Sequence, residues 1–135
     1  MITAVDSNVL IDVLGGDPQF GPASRSALRS CLNEGIVIAC DVVWAEIIAA
    51  FPDPAATKSA LARLPIEFSG VNQAAATAAG LAWRGYRRAG GPRERLVADF
   101  VVGAHALEQA DRLLTRDRGF QRAAFARLAI LDPSR

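Results

Sequence analysis

The sequence predicts a single α/β domain, a three-layer α/β/α arrangement around a central, mainly parallel sheet of roughly five strands. Two observations carry this. Short apolar segments alternate with longer helical ones throughout, which builds a parallel sheet with helices on both faces. The short segments are also continuously apolar rather than alternating, as expected of strands buried on both sides. At 135 residues, half of them hydrophobic and 21% charged, the chain can bury one real core. We find no repeat, low-complexity stretch or linker, so residues 1–135 are read as one domain.

Residues 2–5 read as a buried strand ending at Asp6. Ser7 and Asn8 start a helix that runs to about Leu14 and stops at Gly15-Gly16. Residues 23–33 have helical spacing, closed by Gly35. Residues 36–40 form a second strand, and Asp41 is suited to cap a helix over 42–51. Pro52 and Pro54 break that helix, and another covers about 55–64. Residues 65–69 are a weak third strand, followed by a long alanine-rich helix over 72–89 that ends at Gly90-Gly91-Pro92. Residues 93–95 form a charged loop, and a helix containing Asp99 extends to about Gln109. Residues 112–115 are a fourth strand, 120–124 a helical turn, and 127–131 a fifth strand.

Net charge is +1, so the overall field does not announce nucleic acid. Lys58 is the only lysine among 15 basic residues. Arginine suits phosphate forks, but a genomic base bias, hinted at by the many alanines, accounts for the same preference. Cys31 and Cys40 fit no metal spacing and read as buried thiols. Asp6 interrupts the first apolar stretch, so no leader is expected, and no run approaches the roughly 20 apolar residues of a membrane span. The expected location is the cytoplasm.

Four acids stand in apolar surroundings: Asp6 after the first strand, Glu46 within Val42 to Phe51, Asp99 between Leu96-Val97-Ala98 and Phe100-Val101-Val102, and Asp117 after Leu113-Leu114-Thr115. A carboxylate in such a place costs several kcal/mol unless it is compensated. In a parallel α/β sheet, ligands bind outside the carboxyl ends of the strands. Asp6 and Asp117 end strands, and Asp99 and Glu46 lie near helix starts. Four carboxylates in one cleft repel each other, and a hard divalent cation relieves this. An oxygen-only set favours Mg²⁺ or Mn²⁺ over zinc.

Ordinary readings compete. Asp6 and Asp99 serve as helix caps, and Asp117 as a turn residue; Glu46, in mid-helix, caps nothing. Asp12 is a candidate fifth ligand, although a solvated or cap-stabilising acid is the favoured reading. Ser7 and Thr115 are candidates to hold the acids by hydrogen bonds. His105, the only histidine, reads as structural, and Trp44 and Trp83 as core or interface residues. Arg116 and Arg118 beside Asp117 are candidate phosphate contacts. Arg122, and the group Arg84, Arg87, Arg88, Arg93 and Arg95, are weaker ones.

With these residues assembled, the chain resembles the PIN-domain ribonucleases, and most of all the small toxins of the VapBC toxin–antitoxin type. The likeness rests on Val5-Asp6-Ser7-Asn8-Val9-Leu10, Ala45-Glu46-Ile47, Ala98-Asp99-Phe100-Val101-Val102-Gly103-Ala104-His105-Ala106 and Leu114-Thr115-Arg116-Asp117-Arg118-Gly119-Phe120, in that order. Phe100 departs from it, since many relatives have a small residue there. The resemblance implies a PIN-like fold and a Mg²⁺ or Mn²⁺ site, lined by Asp6, Glu46, Asp99 and Asp117, that hydrolyses RNA. It also implies a homodimer and a cognate antitoxin, with the alanine-rich helix and the Trp44 and Phe51 region as candidate contact faces. The alternatives are an RNA-processing PIN nuclease without an antitoxin and a non-catalytic PIN-like binding module. A haloacid dehalogenase-type phosphatase is disfavoured by Asn8, where a second Asp is needed. A response-regulator receiver is disfavoured by the lack of a late lysine.

Overall fold

The computed structural model describes residues 1–91, 97–117, 119 and 123–134. Its elements run β1 (Ile2–Val5), α1 (Ser7–Leu14), α2 (Gly21–Glu34), β2 (Ile36–Ala39), α3 (Asp41–Ala50), α4 (Pro54–Arg63), β3 (Ile66–Phe68), α5 (Gln73–Arg88), α6 (Val97–Gln109), β4 (Arg112–Leu114) and β5 (Ile130–Leu131). The strands form one sheet of order β3-β2-β1-β4-β5, and every pairing is parallel. The α/β expectation is met.

The order explains the layers. From β1 the chain steps to β2 and β3 in one direction through α1 to α4. It then returns across the sheet through α5 and α6 to β4. Right-handed crossovers place these two helix sets on opposite faces. The contacts agree: α1 packs on α2 and α3, and α3 on α4, whereas α5 packs on α6, which lies against β4 and β1. β1 therefore lies at the centre, where Ala4, Val5, Val37, Ile38, Leu113 and Leu114 are buried with Val9, Leu10 and Ile47. Continuous apolar strands follow from burial on both faces.

Local chemistry sets most boundaries. Asp6 caps α1 by accepting from the Ser7 amide, Asp53 caps α4 through Ala56, and Asn72 caps α5 through Ala75. Three expectations need correcting. Asp41 does not cap α3: Cys40 holds that position and Asp41 opens the first turn, where a carboxylate still favours the positive helix end. α2 begins at Gly21, two residues early, because Pro22 tolerates the first turn. β5 is only Ile130–Leu131 rather than 127–131. Gly35 does close α2, in extended backbone, and glycine is needed there because a Cβ would overlap the Met1 carbonyl that accepts from the Ile36 amide. The charged loop at 93–95 and most of the helical turn at 120–124 lie outside the described residues.

Phe100 is fully buried and meets the Tyr86 ring edge-on at 5.3 Å, so the bulky residue locks α6 against α5. Cys31 and Cys40 are free and buried, as expected. No helix among the described residues is long and apolar enough to cross a membrane.

Candidate active site

The strand order reverses direction between β1 and β4, and the carboxyl ends of these two strands border the crevice where such sheets bind ligands. Asp6 follows β1 and Thr115 follows β4. The Asp6 amide continues the ladder by donating to Leu114 O at 2.9 Å. This register brings the two side chains together. The buried Thr115 hydroxyl donates to Asp6 Oδ2 at 2.8 Å, and it accepts from the Asp117 amide at 3.0 Å and from Asn8 Nδ2 at 3.2 Å. A hydroxyl has one donor and two acceptor positions, so Thr115 is fully committed.

Asp6 is 8% exposed. Its Oδ1 accepts from the Ser7 amide at 2.8 Å, and its Oδ2 also meets Asn8 Nδ2 at 3.4 Å. Burial pushes its carboxyl above the ordinary range. The Thr115 and Ser7 bonds oppose this, while the charges of Asp117 and Asp99 add to the rise.

Glu46 comes from α3, where Ser7 Oγ donates to its Oε1 at 3.2 Å. Its carboxyl is also raised, first by desolvation, then by Asp6, with Asp99 a lesser contributor and the Ser7 bond opposing. Asp99 occupies the first turn of α6 and is half-buried, as is Asp117 just past β4. Asp6 therefore feels the charges of Asp117 and Asp99, and Glu46 those of Asp6 and Asp99. Glu46 differs from expectation in being exposed: its apolar neighbours Ala45, Ala49 and Ala50 form a solvent-facing side of α3.

Asn8 is the residue that sequence reasoning passed over. Its amide nitrogen bridges Asp6 and Thr115, and its Oδ1 accepts from the Arg116 amide at 3.2 Å. The available signal was a carboxamide two residues past the acid that follows the first strand, in the first turn of a helix.

Two candidates change character. Asp12 and Arg116 pair with each other. Arg116 Nε reaches Asp12 Oδ2 at 2.7 Å and its Nη2 reaches Oδ1 at 2.9 Å, while Ser24 Oγ donates to Oδ2 at 2.7 Å. Asp12 is thus neither a fifth ligand nor a solvated acid, and the Arg116 fork is occupied by a carboxylate rather than open to phosphate. His105 is buried, with its Nε2 3.0 Å from Ser69 Oγ, and desolvation holds its pKa below the ordinary value. That is the expected structural role. Arg87 lies over the Trp83 ring at 4.6 Å, and Arg84 and Arg88 are exposed beside it on α5. Arg93, Arg95, Arg118 and Arg122 lie outside the described residues.

Among the described residues, no three Asp, Glu, His or Cys side chains stand close enough together to form a ready cation cage. The donor chemistry still fits a hard divalent ion. Asp6, Glu46, Asp99 and Asp117 supply only oxygen, and neighbouring acids add to the rise at Asp6 and Glu46 in the way a cation relieves.

Comparison with known proteins agrees with the fold. The PIN domain family pattern matches residues 3–126. No curated protein matches the sequence. Among solved structures, the chain is similar to VapBC2 from Rickettsia felis bound to a promoter DNA fragment, at 14% identity, 98% coverage of each chain and a TM-score of 0.76. It is similar to VapBC-1 from nontypeable Haemophilus influenzae, at 16% identity, full coverage of both chains and a TM-score of 0.76. It is also similar to VapC20 from Mycobacterium tuberculosis, described as a Sarcin-Ricin loop cleaving toxin, at 16% identity, with 94% of this chain and 98% of that one covered and a TM-score of 0.65.

Proposed function

We propose that this chain, which belongs to the PIN domain family, is a Mg²⁺- or Mn²⁺-dependent endoribonuclease acting as the toxin of a toxin–antitoxin pair. The observation that supports the reading is that Asp6, at the end of β1, lies within reach of the charges of Asp117 and Asp99, and Glu46 of α3 within reach of those of Asp6 and Asp99.

The bound cation would supply a Lewis acid for the scissile phosphate and a water of lowered pKa. Asp6, Asp99, Asp117 and Glu46 are the residues that would hold it. Asp6 is held by three hydrogen bonds that fix both its oxygens. Glu46, exposed and held only from Ser7 among the bonds described, is placed to orient a water or accept a proton at Oε1. Histidine takes no part, since the only one is buried and bonded to Ser69.

The RNA substrate is supported by the family and by the Sarcin-Ricin loop cleavage attributed to the Mycobacterium tuberculosis neighbour. A cognate antitoxin is supported by the neighbours solved as toxin–antitoxin complexes. On this reading an antitoxin segment would seat in the groove of about 300 Å³ beside Phe51, lined also by Leu14, Pro52, Asp53, Ala56, Thr57 and Ala60. Leu81 on α5, 63% exposed, suits a homodimer contact. The compartment that fits such a substrate and partner is the cytoplasm.

The test is cleavage of total cellular RNA by partner-free protein with Mg²⁺, with Mn²⁺ and with EDTA, alongside Asp99→Asn. Discrete products that need metal and vanish in the variant are expected. Wild-type cleavage by a folded Asp99→Asn protein would overturn the site.

A further inference from the structure

Asp12 and Arg116 take no part in the proposed chemistry, yet they form the most committed ion pair described in the molecule. Asp12, on α1, is 3% exposed, and both of its oxygens are taken. The Arg116 guanidinium meets it as a two-pronged fork and lies over the Phe20 ring at 4.0 Å. The Asp12 carbonyl also accepts from the Asp17 amide at 3.0 Å, so the turn into α2 closes around the same point.

Arg116 lies between Thr115 and Asp117, where β4 has ended and no regular structure holds the chain. Three successive attachments tie this exit to α1. The Thr115 hydroxyl bonds Asp6, the Arg116 amide bonds Asn8, and the Arg116 side chain bonds Asp12. Asp117 follows immediately, and its charge acts on Asp6. Two like charges on adjoining segments push those segments apart unless something rigid opposes the push. A planar bidentate fork fixes direction as well as distance.

We propose that the Asp12–Arg116 pair is a positioning device for Asp117. It holds the β4 exit against α1 and so fixes where Asp117, whose amide bonds the Thr115 hydroxyl that reaches Asp6, leaves the strand. The activity arm of this proposal rests on the nuclease reading; its structural arm does not.

The test compares wild type with Arg116→Lys, which keeps the charge and loses the fork, and with the double variant Asp12→Asn/Arg116→Met, which leaves no buried charge unpaired. Hydrogen exchange of the amides at positions 116 and 117 is measured in metal-free protein. Both variants should exchange at least about tenfold faster there while the core helices stay protected. In RNA cleavage, the Mn²⁺ concentration for half-maximal rate should rise about tenfold or more, with the RNA concentration for half-maximal rate unchanged. Unchanged exchange at 116 and 117 in either folded variant would overturn the proposal. So would a rise in the RNA requirement alone, which would make Arg116 a phosphate contact. If the double variant fails to fold, Arg116→Lys carries the comparison. If wild type cuts no RNA, the nuclease reading fails and the exchange result still decides the positioning role.

Discussion

The Thr115 hydroxyl donates to Asp6 Oδ2 at 2.8 Å while accepting from the Asp117 amide, so one atom joins two of the site's acids. Thr115→Val keeps the shape and removes the hydroxyl, leaving a buried carboxylate oxygen and an amide short of a partner. The expected cost is about 1–3 kcal/mol in chemical denaturation. Cleavage should fall roughly 10–100-fold. The Thr115 bond holds the Asp6 pKa down, so its loss raises that pKa and the acid limb of the rate profile should move to higher pH. Thr115→Ser should restore most of both. Wild-type activity in the valine variant would show that this hydroxyl is dispensable.

Asp6 and Glu46 make the metal-free protein sensitive to pH in a sense opposite to that of ion-paired acids. Burial, with neighbouring charge behind it, raises both carboxyls. The folded chain then holds these protons more tightly than the unfolded chain. Their stabilising effect is complete below the unfolded values and is lost as pH rises through the folded ones. Starting from about pH 4, metal-free wild type should lose stability relative to Asp6→Asn as pH climbs, and Mg²⁺ should close the gap. The Tm difference between the two proteins, followed by calorimetry with and without Mg²⁺, checks this. A difference independent of pH would mean that Asp6 ionises as freely as in water.

His105 moves the other way. Desolvation lowers its pKa, so the neutral ring stabilises the fold above the unfolded value, about 6.5, and that contribution is lost as pH falls through the lower folded value. His105→Gln should cost about 1–3 kcal/mol near neutrality, because Ser69 loses its partner. The pH profile of RNA cleavage between pH 6 and 8 should keep its shape. A limb that disappears with the imidazole would make His105 a participant in proton transfer.

Phe100→Ala should destabilise the protein by about 3–5 kcal/mol through the cavity left between α5 and α6, measured by denaturant unfolding. A loss under 1 kcal/mol would mean that Tyr86 collapses into the space.

The sequence revealed the acids because charge among apolar neighbours is a local signal, readable without contacts. It set β1 and α1 to the residue because Asp6 both ends the strand and caps the helix. It could not show that Asp12 belongs to Arg116, because the partners are 104 positions apart and nothing local to either residue marks the pairing. Asn8 was missed for the same reason: its partners Thr115 and Arg116 come from the far end of the chain. Glu46 was found for a misleading reason. The alanines around it mark an open side of α3 rather than a buried one.

The pairing of β1 with β4 joins segments 109 positions apart. Such long-range parallel pairing has no local substitute, so it forms with the domain as a whole rather than with any one segment. An opening that frees β4 from β1 would part Asp6 from Thr115 and Asp117 in a single event, because all three are joined through one hydroxyl. The crevice is therefore as durable as the global fold at its centre.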